Sequence, residues 1–244
     1  MLLYKAWLES RVRFLLAVGG LLVVCVAFLF RQRVAFPLPD HPWLPYSAIV
    51  WATFYGNIAP IAFSVVALIL GLGGLQRERA AGTAVFTLAL PSGRLQMILV
   101  RALTGLAEMA TLALVPAIVV PALSPVIVGQ GYPLSQAMRF AGLFMSWGAV
   151  WFAAGFFWSV LLAGDYTAAI VSLLTPVGYM IVLARDGSRI AIVNPFVFMS
   201  GLDRFTNGTS TLTGPLPWTS MAVLVGVAAG LLSAAMWITR RQSF

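Results

Sequence analysis

The chain has 244 residues, 61% of them hydrophobic and 9% charged, with a mean hydropathy of +0.95. A soluble domain is about half apolar and about a quarter charged, so this apolar surface exceeds what one core in water can hide, and a water-soluble globule is excluded. The net charge of +8 sits near the ends of apolar runs, which suits an anionic membrane face rather than nucleic acid.

Residues 2–13 come first. Leu3, Trp7 and Leu8 recur at helical spacing, opposed by Lys5, Glu9, Arg11 and Arg13. This reads as an amphipathic helix lying in the interface, with Trp7 at headgroup depth; a plain extension of the first span is the alternative. The apolar run that follows has no small-x-small cleavage site and reads as an uncleaved span. Its lone Cys25 has no partner for an internal disulfide.

About 20 mainly apolar residues cross a membrane. Six runs meet that length: 14–30, 48–75, 95–123, 140–163, 167–184 and 218–239. The expected fold is therefore all-α: one polytopic domain over 1–244, with six transmembrane helices behind an N-terminal interfacial helix. An even number of spans puts both termini on one side. That side collects Lys5, Arg11, Arg13, Arg77, Arg79, Arg94, Arg240 and Arg241; the other collects Arg31, Arg33, Arg139, Arg185, Arg189 and Arg204. Eight against six favours cytoplasmic termini.

Within the second span, Pro60 removes a backbone donor and kinks the helix, while Asn57 can satisfy a freed group. Tyr55 and Asn57 there, with Ser172, Thr175 and Tyr179 of the fifth span, are candidates for a translocation path. Kinks and interhelical hydrogen bonds are the commoner use of such residues. Glu108 falls near mid-depth in the third span, an expensive place for a carboxylate. Arg101 is seven residues earlier on the same face, about 10 Å away along the axis. Glu108 reads either as part of a substrate or ion path or as a group protonated or bonded to a neighbouring helix. Gly226 and Gly230 form a GxxxG in the last span, a weak signal for close helix contact.

The outer segments differ. Residues 31–45 are rich in proline and hold the only histidine, His41. Residues 185–217 contain an apolar piece, 190–202, too short to span; it is either a re-entrant or interfacial helix pair packed on protein or an ordinary loop. Asn207-Gly208-Thr209 matches a glycosylation sequon and carries little weight.

Several chemistries are absent. Lys5 is the only lysine, and no GxxxxGK[ST] surrounds it, so the chain has no P-loop for ATP. One His and one Cys make no zinc site, and there is no GxSxG elbow. No metal, cofactor or catalytic residue of the chain's own is expected.

Residues 76–94, QRERAAGTAVFTLALPSGR, join the second and third spans. The apolar piece 80–90 is too short to cross. Drawn as a helix, Ala81, Ala84, Val85 and Leu88 share one face and Arg79, Thr83 and Thr87 the other; Phe86 and Leu90 fall beside the polar stripe, where a solvated helix would not want them. Pro91-Ser92-Gly93 then turns the chain. The pattern Glu78, Gly82-Thr83, Leu88, Pro91 and Arg94 resembles the cytoplasmic signature of type-2 ABC transporter permeases. The order of elements agrees over essentially the whole chain.

This resemblance implies that 76–94 is a coupling helix docking on a separate ABC ATPase subunit. Glu78 and Arg79, beside Arg77, would anchor it, Phe86 would fill a groove, and Pro91 with Gly93 would set its angle. Gly82, Thr83, Leu88 and Arg94 carry the rest of the motif. It further implies two permease subunits, the same or homologous, with two ATPases that bind ATP and Mg. The expected function is export by alternating access in a prokaryotic plasma (inner) membrane. The competing readings are a membrane assembly or scaffold protein and a stand-alone secondary transporter.

Overall fold

The computed structural model describes residues 2–35, 45–72, 94–162, 165–186, 194–202, 211–212 and 214–241. The described helices are α1 (Leu2–Ala35), α2 (Tyr46–Gly71), α3 (Arg94–Ile127), α4 (Leu134–Leu161), α5 (Asp165–Asp186), the short α6 (Pro195–Ser200) and α7 (Trp218–Arg241). All but α6 are long and apolar enough to cross a membrane, so the chain is an all-α polytopic bundle, with six such helices among the described residues.

One expectation changes at the N-terminus. Residues 2–13 are not a separate interfacial helix; they are the opening turns of a single 34-residue helix, Leu2–Ala35. No glycine or proline occurs in residues 2–18 to break the backbone ladder. Trp7 packs edge-on against Phe14, with ring centroids 5.6 Å apart, which ties the first turns to the span.

α4 is the axis of the bundle. It touches α2, α3, α5, α6 and α7, and 78% of its most apolar stretch is buried, against 11% for α5. Lipid tails are as apolar as leucine, so helices in a membrane are held by close contact and polar bonds rather than by a hydrophobic drive. The backbones come close where α2 crosses α4. A Cβ on Gly155 would stand 2.6 Å from the Leu68 carbonyl oxygen, and one on Gly71 would meet the backbone of Phe152 and Phe156. The two backbones touch because both positions lack a side chain. Gly226 and Gly230, by contrast, are exposed, with nothing within 4 Å of a built Cβ. Their GxxxG spacing makes no contact among the described residues.

The main cluster of buried apolar residues draws on α1, α2, α3, α4, α6 and α7. Among the described residues α5 adds no fully buried member; only Tyr179 packs against the cluster.

α2 is not a uniform helix. Residues Val50–Ile58 form a π-helical stretch of 9 residues, and an α-helix resumes from Ala59 through Pro60 to Gly71. Proline has no N–H to donate back along the helix, and wide i→i−5 turns are one way to absorb that loss. Asn57 Nδ2 donates to the Ala52 carbonyl, five residues back on its own helix, at 2.7 Å; this is not one of the carbonyls four or five residues before Pro60 that the missing N–H leaves free.

At the end of the bundle away from the termini, part of 185–217 is pinned to the helices. Asn194 caps α6, its side-chain oxygen accepting from the N–H groups of Phe196 and Val197 at 3.1 and 3.2 Å. α6 lies against the π-helical part of α2 and against α4, and Trp51 Nε1 donates to Ser200 O at 2.8 Å. Of the two readings of 190–202, the described part matches a short helix packed on protein. Further on, Gln136 accepts from Leu212 N–H and donates to Leu212 O, both at 2.9 Å. Arg139 donates to the carbonyls of Leu212 and Gly214.

Candidate functional site

The polar residues singled out in the spans do not converge on one place. They fall at three seams of the bundle.

The first seam lies between α1 and α3, near the end that carries the termini. Arg101 does not pair with Glu108 on its own helix. It reaches across to Glu9, Nη2 to Oε2 at 3.2 Å, while Lys5 approaches Glu9 Oε1 at 3.6 Å. The Ser10 hydroxyl donates to Glu108 Oε1, and Arg13 is close enough to act on the same carboxyl electrostatically. Glu108 is buried, and its Oε2 meets no hydrogen-bond partner among the described residues. Of the two readings of Glu108, this geometry matches the group bonded to a neighbouring helix. The neighbour is the segment expected to lie apart in the interface.

The second seam is an aromatic stack between α2, α4 and the α3–α4 connection. Tyr55 is fully buried. Its ring lies on Phe140, with centroids 4.1 Å apart and 9° between planes, and beside Tyr132 at 5.9 Å. Its hydroxyl donates to Pro116 O at 3.4 Å; that carbonyl belongs to α3, which carries Pro116, Pro121 and Pro125 within its length. Tyr46 and Ser124 share a hydroxyl hydrogen bond of 2.9 Å beside the stack. Tyr132 lies outside the spanning helices, and burial pushes its phenol well above the usual tyrosine range, with Tyr46 adding to the effect. In this structure Tyr55 is a core packing residue.

The third seam runs between α4 and α5. Tyr179 of α5 sits against two indoles of α4, with its ring centroid 6.0 Å from both Trp147 and Trp151, and the indoles are 5.5 Å from each other. Both Trp Nε1 atoms are buried and meet no acceptor among the described residues, and the same is true of the Ser172 hydroxyl. Thr175 is spent within its own helix, donating to Val171 O at 2.7 Å. Ser172 and Tyr179, seven residues apart, share one stripe of α5. It is the buried stripe, since α5 is otherwise largely exposed.

Of the expected coupling residues, Arg77, Glu78, Arg79, Gly82, Thr83, Phe86, Leu88, Pro91 and Gly93 lie outside the described residues. Arg94 is the first residue of α3. The sequence had not drawn attention to Ser10, Trp147, Trp151 or Gln136. Ser10 is one hydroxyl on a charged helix. The two indoles read as ordinary apolar positions, and their i, i+4 spacing on a tryptophan-rich span was the available signal.

Among the described residues no group of three or more His, Cys, Asp or Glu side chains is placed to hold a metal ion. No family model matches the chain, and no curated protein matches it.

Proposed function

We propose that this chain is the membrane-spanning subunit of an ATP-driven ABC exporter, working as a pair of permease subunits with two copies of a separate ATPase. The observation that carries the reading is the pattern Glu78, Gly82-Thr83, Leu88, Pro91 and Arg94, placed between the second and third of six helices able to span a membrane. The segment is too short to cross, and drawn as a helix it puts an aromatic, Phe86, beside the polar stripe. A groove on a partner accounts for both. With no P-loop of its own, the chain depends on that partner for ATP and Mg.

In this reading the end with both termini faces the cytoplasm of a prokaryotic cell, and 76–94 transmits ATPase closure to α2 and α3. α2 is fixed to α4 at Gly71 and Gly155, and α3 is bonded to α1 through Arg101 and Glu108. A push on the segment therefore reaches both halves of the bundle, as alternating access requires. A stand-alone secondary transporter fits less well, because one would normally show more intramembrane charge or a repeat, and Glu108 is the only acid within the apolar runs.

The test is affinity capture of the chain from its own host. An ABC ATPase subunit should co-purify with the unaltered chain and be lost with Phe86→Asp, while membrane insertion is retained. Equal capture with both chains would remove the coupling assignment. No ATPase with either would leave a scaffold as the better reading.

A further inference from the structure

The indoles of Trp147 and Trp151 and the hydroxyl of Ser172 are buried with no acceptor among the described residues. A tryptophan N–H only donates, so whatever satisfies it must bring an acceptor. A buried donor left unmet is destabilising; the two indoles lie against Tyr179 of α5, and Ser172 is on the same stripe of α5 as Tyr179.

The depth of these donors narrows the choice. Trp147 stands at the midpoint of a helix of 28 residues, and Trp151 follows one turn on. Ser172 is likewise near the middle of α5. The ester oxygens of bilayer lipids lie outside a hydrocarbon core about 30 Å thick, roughly 15 Å from its midplane. A resident lipid therefore keeps its carbonyls away from this depth. An acceptor at mid-depth is then a water or an oxygen brought by a molecule that enters the seam.

Charge narrows it further. The only charged residue of α4 is Arg139, whose guanidinium is bonded to the Leu212 and Gly214 carbonyls. The charged residues of α5 are confined to its ends: Asp165, Arg185 and Asp186. The middle of the seam is neutral, aromatic and donor-rich. That suits uncharged carbonyl oxygens on an apolar body and neither a phosphate nor an ammonium group.

We propose that the α4–α5 seam is a binding site for the cargo, a neutral amphiphile whose ester or amide carbonyls accept from Trp147, Trp151 and Ser172. As a cargo site it rests on the transport reading; as a binding site it is measured without any ATPase. The test uses the purified full chain in detergent micelles with a diacylglycerol carrying a photoreactive group beside one ester. Its diether analogue, identical but lacking carbonyls, is run in parallel, and cross-linked peptides are located by mass spectrometry. The diester should label the middle of α4 and α5 at least fivefold more than the diether. Trp147→Phe/Trp151→Phe keeps both rings but removes both N–H groups, and should abolish that preference. Ser172→Ala, a smaller change suited to the case in which the double variant fails to fold, should reduce it about threefold. Equal labelling by diester and diether, or an undiminished preference in either variant, overturns the site. Ester-selective labelling in a chain that captures no ATPase would uphold the site and remove transport. ATPase capture without ester selectivity would remove the site alone.

Discussion

The Glu9 carboxylate of α1 lies 3.2 Å from the Arg101 guanidinium of α3, so the charged face of residues 2–13 is turned toward a neighbouring helix. Both side chains are partly exposed, and such pairs contribute at most about 1 kcal/mol. Arg101→Gln should lower the thermal midpoint in detergent by a degree or two. The swap Glu9→Arg/Arg101→Glu should recover at least half of that loss. Equal melting of the single variant and the unaltered chain would show that the pair contributes nothing measurable.

The bond from Ser10 to Glu108 should matter more, because the carboxyl is buried. Ser10→Ala leaves Glu108 without its donor and should cost about 1–3 kcal/mol. Removing both polar groups, in Ser10→Ala/Glu108→Leu, should restore most of the stability, since an apolar pair leaves nothing unsatisfied. A denaturant or thermal series on the four chains measures the coupling. Additive losses would contradict the bond.

Gly155 has no room for a side chain, as its Cβ would stand 2.6 Å from the Leu68 carbonyl. Gly155→Ala should force α2 and α4 apart and cost about 1–3 kcal/mol. Gly226→Ala and Gly230→Ala should be neutral within about 0.5 kcal/mol. Thermal unfolding of the three variants decides the ranking, and a more costly Gly226→Ala would invert it.

Gln136 holds both backbone groups of Leu212. A net hydrogen bond is about 1 kcal/mol, so Gln136→Ala should speed amide exchange at Leu212 by roughly five- to tenfold. Exchange within α4 should stay unchanged. Hydrogen-exchange mass spectrometry of the peptide spanning 211–217 reads this directly.

The six spanning helices were legible because length and apolarity suffice to mark a membrane helix, and both properties are local. What binds one helix to another was not. Arg101 and Glu108 share a face, which drew attention to that pair. Their partners, Glu9 and Ser10, lie about 90 residues earlier in the chain and become neighbours only when α1 stands beside α3. The break expected near Arg13 rested on amphipathicity, yet the backbone continues because no residue there interrupts it. The glycine spacing at Gly226 and Gly230 was visible as a motif, whereas Gly71 and Gly155 are 84 positions apart and have no motif at all. Pro60 with Asn57 pointed to a kink, whereas the observed irregularity is nine residues in a wider helical turn before it.

The slight burial of α5 has a consequence for how freely its sequence can vary. α4 is largely covered by protein, so its residues answer to shape, and replacing Phe140, Phe144, Phe152 or Phe156 by a smaller side chain would leave a cavity. Leu173, Leu174, Val177 and Ile181 of α5 are exposed and answer only to solvation. Exchange among leucine, isoleucine and valine at those positions should be silent, while a single charge would be costly. Two helices three residues apart in sequence thus store very different amounts of information, and the freer one carries its constraints in one stripe, from Ala168 through Ser172 and Tyr179 to Leu183.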